Sequence, residues 1–124
     1  MSEKQGCAGK VIQIWPDDLL DVTGAEYSRF LIKFSAVNCS PCENLQAFLD
    51  SGLLELEHDL PVFQIKAKDN TTNVYNDLRK FFKFKTLPYC VVTSTSLDVI
   101  DHMAGFSDPE IFKSFIYKNF NVSQ

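Results

Sequence analysis

Phe30-Leu31-Ile32-Lys33-Phe34-Ser35-Ala36-Val37 runs directly into Asn38-Cys39-Ser40-Pro41-Cys42-Glu43-Asn44-Leu45. From about Arg29 to Ser35 a strand is expected whose Phe30, Leu31, Ile32 and Phe34 do not alternate with polar residues, as in a central strand covered on both faces. After the Cys-Ser-Pro-Cys box the pattern turns helical, with Leu45, Phe48 and Leu49 recurring at intervals of three and four. This helix is expected to open at Cys39 and run to about Asp50, where Ser51-Gly52 interrupts it. A strand that feeds straight into a helix sets Cys39 at the helix N-terminus, where unpaired N–H groups and the positive end of the macrodipole favour an anion. A thiolate is such an anion, so Cys39 is expected to ionise more easily than a free cysteine. Cys42, three positions on, lies on the same helical face and within reach for a small disulfide loop. Two sulfurs so placed make an exchangeable dithiol.

Around this stretch, the chain has 124 residues, 45% of them hydrophobic, with eleven phenylalanines to supply bulky apolar volume. That suffices for one buried core, so a single domain over 1–124 is expected, with 1–9 a flexible lead. A net charge of −4 and the lack of a long Lys/Arg cluster argue against a nucleic-acid surface; Lys80, Lys83 and Lys85, interrupted by aromatic residues, read as a solvated helix face. No apolar run approaches the roughly 18 residues that span a bilayer. The segment Met1 to Cys7 is polar and lacks the apolar core of a secretory signal. A cytoplasmic location is therefore expected, where structural disulfides are rare. Cys7 and Cys90 are isolated, so the second close pair of a zinc ribbon is missing and no metal is expected. Cys90 reads as a small buried hydrophobe, His102 as a surface strand residue, and Cys7 as a thiol able to pair between chains under oxidation.

In chain order, Val11 to Trp15 alternates enough for a short edge strand. Pro16-Asp17-Asp18-Leu19-Leu20 then starts a helix that Thr23-Gly24 breaks. Asp59 to Lys66 is strand-like, with Pro61 at its entrance. Asn70 or Thr71 caps a helix with Val74, Leu78, Phe81 and Phe82 on one stripe, ending near Lys85. Thr86-Leu87-Pro88 leads into a hairpin of Tyr89–Thr93 and Leu97–Met103, turning at Thr93-Ser94-Thr95-Ser96. Gly105 suits a bulge or a close backbone approach. Ser107-Asp108-Pro109-Glu110 starts a last helix with Ile111, Phe112, Phe115 and Ile116 inward. The order β-α-β-α-β-α-β-β-α implies an α/β fold, a mixed sheet of four or five strands with helices on both faces.

From about Val11 to Phe120 the chain resembles thioredoxin. Lys33-Phe34-Ser35-Ala36-Val37-Asn38-Cys39-Ser40-Pro41-Cys42 is similar to the family's Asp-Phe-Ser/Trp-Ala-x-Trp-Cys-Gly-Pro-Cys. Thr86-Leu87-Pro88 is similar to the loop whose proline is cis and faces the disulfide, and Gly105 in Ala104-Gly105-Phe106 to the glycine after the last strand. A C-x-x-C box beside a βαβ pattern is itself a mark of such redox sites. The resemblance implies a thioredoxin-like fold and thiol–disulfide exchange through a redox-active Cys39–Cys42 disulfide: Cys39 attacks a substrate disulfide and Cys42 resolves the mixed disulfide. It also implies a substrate-binding rim of Asn38, Ser40, Pro41, Leu87, Pro88 and Gly105, with backbone groups at Pro88 offered to an extended substrate segment. The implied partners are disulfide-containing proteins and a thioredoxin reductase or low-molecular-weight thiol that returns the electrons. No cofactor is expected on the chain, which lacks a nucleotide fingerprint; neither is a nucleic-acid or membrane partner, and a monomer is expected.

Three positions depart from the family. Asn38 stands for a Trp, which removes a flat apolar lid beside the reactive sulfur. Ser40 stands for a Gly, in the pair where the family tunes its potential. Lys33 stands for a buried Asp that exchanges protons with the second cysteine. A buried amine would have a depressed pKa and could accept the Cys42 proton; a Lys that snorkels to solvent merely fills the position, and the rarity of buried lysines gives that second reading the edge. Two other readings of the whole chain stand beside the reductase. One is a glutaredoxin-like enzyme with Lys33 or the Lys80–Lys85 group at a glutathione site, which the longer N-terminal β-α unit disfavours. The other is a redox-weak binding module marked by the Trp and Asp replacements.

Overall fold

The computed structural model describes residues 9–14, 29–67, 73–96 and 98–120. Its strands are β1 (Val11–Ile14), β2 (Arg29–Ala36), β3 (Leu60–Ala67), β4 (Tyr89–Ser94) and β5 (Val99–Ala104); its helices are α1 (Ser40–Asp50), α2 (Asn73–Phe82) and α3 (Pro109–Phe120). The five strands form one sheet in the order β1-β3-β2-β4-β5. β1, β3 and β2 run parallel, while β4 and β5 are antiparallel, so the sheet is mixed. The apolar run of β2 is accounted for by its place between β3 and β4.

Strand parity divides β2 between two cores. Phe30, Ile32 and Phe34 pack with Phe63, Tyr89, Val91 and, from α2, Phe82 and the half-buried Leu78. Leu31 packs on the opposite face with Val62, Cys90 and Val92, beneath Leu45, Phe48 and Leu49 of α1 and Phe112, Phe115 and Ile116 of α3. Helices therefore cover both faces of the sheet. Each apolar side chain so buried is worth roughly 1.5–3 kcal/mol, enough to settle which way each strand faces.

Several details differ from the sequence reading. α2 stops at Phe82, three residues early, because Lys83 takes the left-handed conformation (φ 59°) and its N–H bonds the Arg79 carbonyl at 2.8 Å. Phe81 leaves the predicted stripe and is 61% exposed; Leu78 and Phe82, four apart, hold it instead. Ile111 is also outward, at 58% exposure, because Phe112, Phe115, Ile116 and Asn119 define the inward face of α3. Asn119 fits there because its amide donates to the Phe115 carbonyl and the Asp101 carboxylate, both at 2.9 Å. Asp108 rather than Ser107 caps α3, its Oδ1 accepting from Glu110 N–H at 2.9 Å. β5 begins at Val99. Trp15, the helix start at Pro16, the Thr23-Gly24 break, Asn70, Thr71, Leu97, Cys7 and the rest of the lead up to residue 8 lie outside the described residues, as does the side chain of Val74.

Candidate active site

Cys39 and Cys42 are joined as a disulfide, with Cα atoms 5.2 Å apart. β2 ends at Ala36, the chain turns through exposed Val37 and Asn38, and Asn38 takes a left-handed φ of 56°. That turn delivers Cys39 to the N-cap of α1 with an extended backbone. Its sulfur accepts the Cys42 N–H at 3.3 Å and its carbonyl accepts the Glu43 N–H at 3.0 Å. Pro41 fits the first turn, where no intrahelical N–H bond is required. The two sulfurs are not equivalent. Cys39 is half-buried and borders exposed Asn38, Ser40 and Pro41, whereas Cys42 is 4% exposed.

Beneath Cys42 lies a cleft of about 380 Å³ bordered by Lys33, Ser35, Gln46, Asp50 and Gln64 among others. Lys33 is 3% exposed, so its amine does not snorkel. The reason is parity: Lys33 shares the α1-facing side of β2 with Leu31 and Ser35. Its Nζ donates to Gln46 Oε1 at 2.5 Å. The Gln46 amide donates in turn to Gln13 Oε1 at 2.6 Å and Asp50 Oδ1 at 3.0 Å; Gln13 also donates to Asp50 and accepts from Gln64. Burial lowers the Lys33 pKa from its ordinary value, with Lys66 adding a smaller push downward; Cys90 and Asp50 work against it. Cys90, opposite Lys33 in the β2–β4 register, is itself buried, and burial pushes its thiol up to about 12. It is therefore neutral at physiological pH, and the carboxylate of Asp50 is the anion that counts.

The Leu87–Pro88 peptide is cis. Tyr89 pairs with Phe34, so the loop at residues 86–88 continues alongside the end of β2 that runs into Cys39. Pro88 is buried and its carbonyl accepts the Gly105 N–H at 2.8 Å. Gly105 has a φ of 85°, and a Cβ there would meet nothing closer than Thr86 Cγ2 at 3.9 Å, so backbone conformation rather than space calls for glycine. His102 is exposed on β5.

Solved structures that share this fold include thioredoxins. A mutant thioredoxin of Halobacterium salinarum aligns over 93% of this chain and 95% of its own, at 13% identity and a TM-score of 0.59. Plasmodium falciparum thioredoxin aligns over 90% and 89%, at 19% identity and 0.63. Chlamydomonas reinhardtii thioredoxin f2 aligns over 91% and 99%, at 11% identity and 0.60. The chain has the thioredoxin fold. No family model matches it, and no curated protein matches it in sequence. A Cys-x-x-Cys pair on this fold supports a role in thiol–disulfide chemistry. Among the described residues no helix is long and apolar enough to cross a membrane.

The amides around Lys33 were missed in the sequence. Cys42, Gln46 and Asp50 follow one another at intervals of four, which puts them on one helical stripe, and Gln64 interrupts an apolar strand. Those two signals were available.

Proposed function

We propose that this protein is a thiol–disulfide oxidoreductase that reduces protein disulfides through Cys39 and Cys42. The observation that carries the reading is the asymmetry of the two sulfurs: Cys39 reachable at a helix N-cap, Cys42 buried one turn behind it. Negative charge on Cys39 is stabilised by the Cys42 N–H and the helix dipole. In the reduced protein that thiolate attacks one sulfur of a substrate disulfide. The substrate S–S bond breaks, a Cys39–substrate bond forms, and the departing substrate thiolate takes a proton from water. Cys42 then loses its proton and attacks Cys39 Sγ, releasing the second substrate thiolate and closing the Cys39–Cys42 bond. Two electrons pass from protein to substrate, and a reductase or small thiol returns them.

Lys33 is the group we assign to the second step. Burial lowers the Lys33 pKa, and the amine lines the same cleft as Cys42; in its unprotonated form it accepts the Cys42 proton, and the resulting ammonium stabilises the thiolate. Asn38, Ser40 and Pro41 form the rim beside Cys39. Pro88 has no N–H and its carbonyl is engaged by Gly105, so backbone pairing with a substrate segment falls to Leu87.

Reduction of insulin disulfides by the protein with dithiothreitol as electron source tests the proposal. Wild type accelerates it, Cys39→Ser abolishes the acceleration, and Cys42→Ser accumulates a mixed disulfide at Cys39 visible by mass. Acceleration that survives Cys39→Ser, or a wild type without any, leaves a binding module on this fold.

A further inference from the structure

Arg79, Lys80, Lys83 and Lys85 place four of the chain's 12 cations within seven residues that contain no acid, leaving eight cations against 16 acidic residues elsewhere. All four are exposed, and among the described residues none forms an ion pair. Together with Phe84 they wall a cleft of about 460 Å³. The C-terminal dipole of α2 explains a cation or two in its last turn, as with Arg79 and Lys80. It does not explain Lys83 and Lys85, which lie past the last helical residue, Phe82.

The floor of this cleft is fixed to the sheet. Phe84 is 5% exposed, stacks on Tyr89 at 4.7 Å with planes 12° apart, and lies 4.6 Å from Phe34. Tyr89 follows Pro88, and Pro88 is three positions after Lys85, which limits their Cα atoms to about 11 Å. The cleft therefore adjoins the loop beside the end of β2 that carries Cys39.

We infer that this cleft docks an acidic stretch of a substrate polypeptide, flanking the cysteine that reacts with Cys39. The inference rests on the proposed redox function for its meaning, and it adds the substrate class. Four unneutralised cations on a protein of opposite overall sign give a local field that attracts carboxylates, raises the encounter rate and fades as salt screens it. The aliphatic stems and Phe84 offer the same segment an apolar contact.

The experiment uses the full chain, pre-reduced, and two synthetic peptides of equal length, each closed by one disulfide and flanked by either Glu/Asp or Ser/Gln. The rate constant for oxidation of the protein by the acidic peptide is expected to exceed that for the neutral one about tenfold at low salt, and to approach it at about 0.5 M. Lys83→Gln with Lys85→Gln should cut the preference at least about threefold. Lys113→Gln with Lys118→Gln, an equal change of charge on α3, should leave it intact. A cysteine-free, fluorescent acidic peptide should bind wild type more tightly than the Lys83/Lys85 variant in anisotropy titrations. Equal rates for the two peptides, equal behaviour of the two double variants, or displacement of the fluorescent peptide by glutathione at matching concentration overturns the inference. Binding of the cysteine-free peptide does not need a working Cys39. Failure of both disulfide peptides to react therefore counts against the redox function alone, and docking stands or falls by the titration.

Discussion

Parity on β2 turns residues 31, 33 and 35 toward α1, and an ammonium at the middle one is costly to hold there. Burial depresses the Lys33 pKa below 10.5, so between its folded value and 10.5 the unfolded chain binds more protons than the folded one. Stability contributed by this group therefore rises with pH across that window, and its penalty is complete below the folded pKa. Lys33→Met is expected to stabilise the fold by about 1–2 kcal/mol near neutral pH, with the gain shrinking as pH approaches 10.5. Taking the difference between variant and wild type cancels the opposite alkaline trend of Tyr89, whose pKa burial raises; Cys90 faces Lys33, which lowers its pKa, so part of its trend stays in the difference. Urea denaturation of the reduced proteins at a series of pH values measures it. A gain that stays constant over pH would mean the amine is as well solvated folded as unfolded. Only half of this was legible in the sequence. The rarity of buried lysines favoured a solvent-facing side chain, and what overrode it was an acceptor, Gln46, thirteen residues away on an element whose facing direction depends on the whole sheet.

On α1, Cys42, Gln46 and Asp50 form one stripe above that lysine, and Gln46 can face only one way within it. Its Oε1 accepts from Lys33, so its amide must point to Gln13 and Asp50. Gln46 is thereby a positioning residue that connects a buried base to a surface carboxylate. Gln46→Leu removes both the acceptor and the link, which lowers the Lys33 pKa further. The rising limb of the pH–rate profile for resolution of the mixed disulfide should then move to lower pH, with the plateau reduced about tenfold because a weaker base remains. Gln46→Glu restores an acceptor and adds a negative charge, so the limb should move to higher pH. Opposite shifts are the informative outcome; loosened packing alone would move both variants the same way. The Cys box and the apolar side of α1 are plain from periodicity. The amides are not, because Gln13 lies 33 residues from Gln46 and 51 from Gln64, and they meet only after β1 and β3 are paired.

Across the molecule, the element order and the alternation of helical and strand periods gave the layered α/β arrangement, since each pattern admits few ways to bury its apolar side. Ile111 and Phe81 were misplaced because composition marks a residue as apolar without saying where a helix centres its stripe. The two cores share β2, so a cavity on either side should weaken one cooperative unit. Phe34→Leu and Phe112→Leu, each fully buried in wild type, should both cost about 1–3 kcal/mol, with unfolding followed by far-UV and near-UV circular dichroism remaining coincident. Their functional consequences should separate. Phe34 supports Phe84, the floor of the cationic cleft, whereas Phe112 packs against Phe48 and Phe106 on the opposite face. At a temperature where both variants are folded, Phe34→Leu should lose much of the preference for the acidic disulfide peptide, and Phe112→Leu should keep it. Equal loss in both would trace the effect to general destabilisation, because the two substitutions are matched in chemistry and differ only in the face of the sheet they disturb.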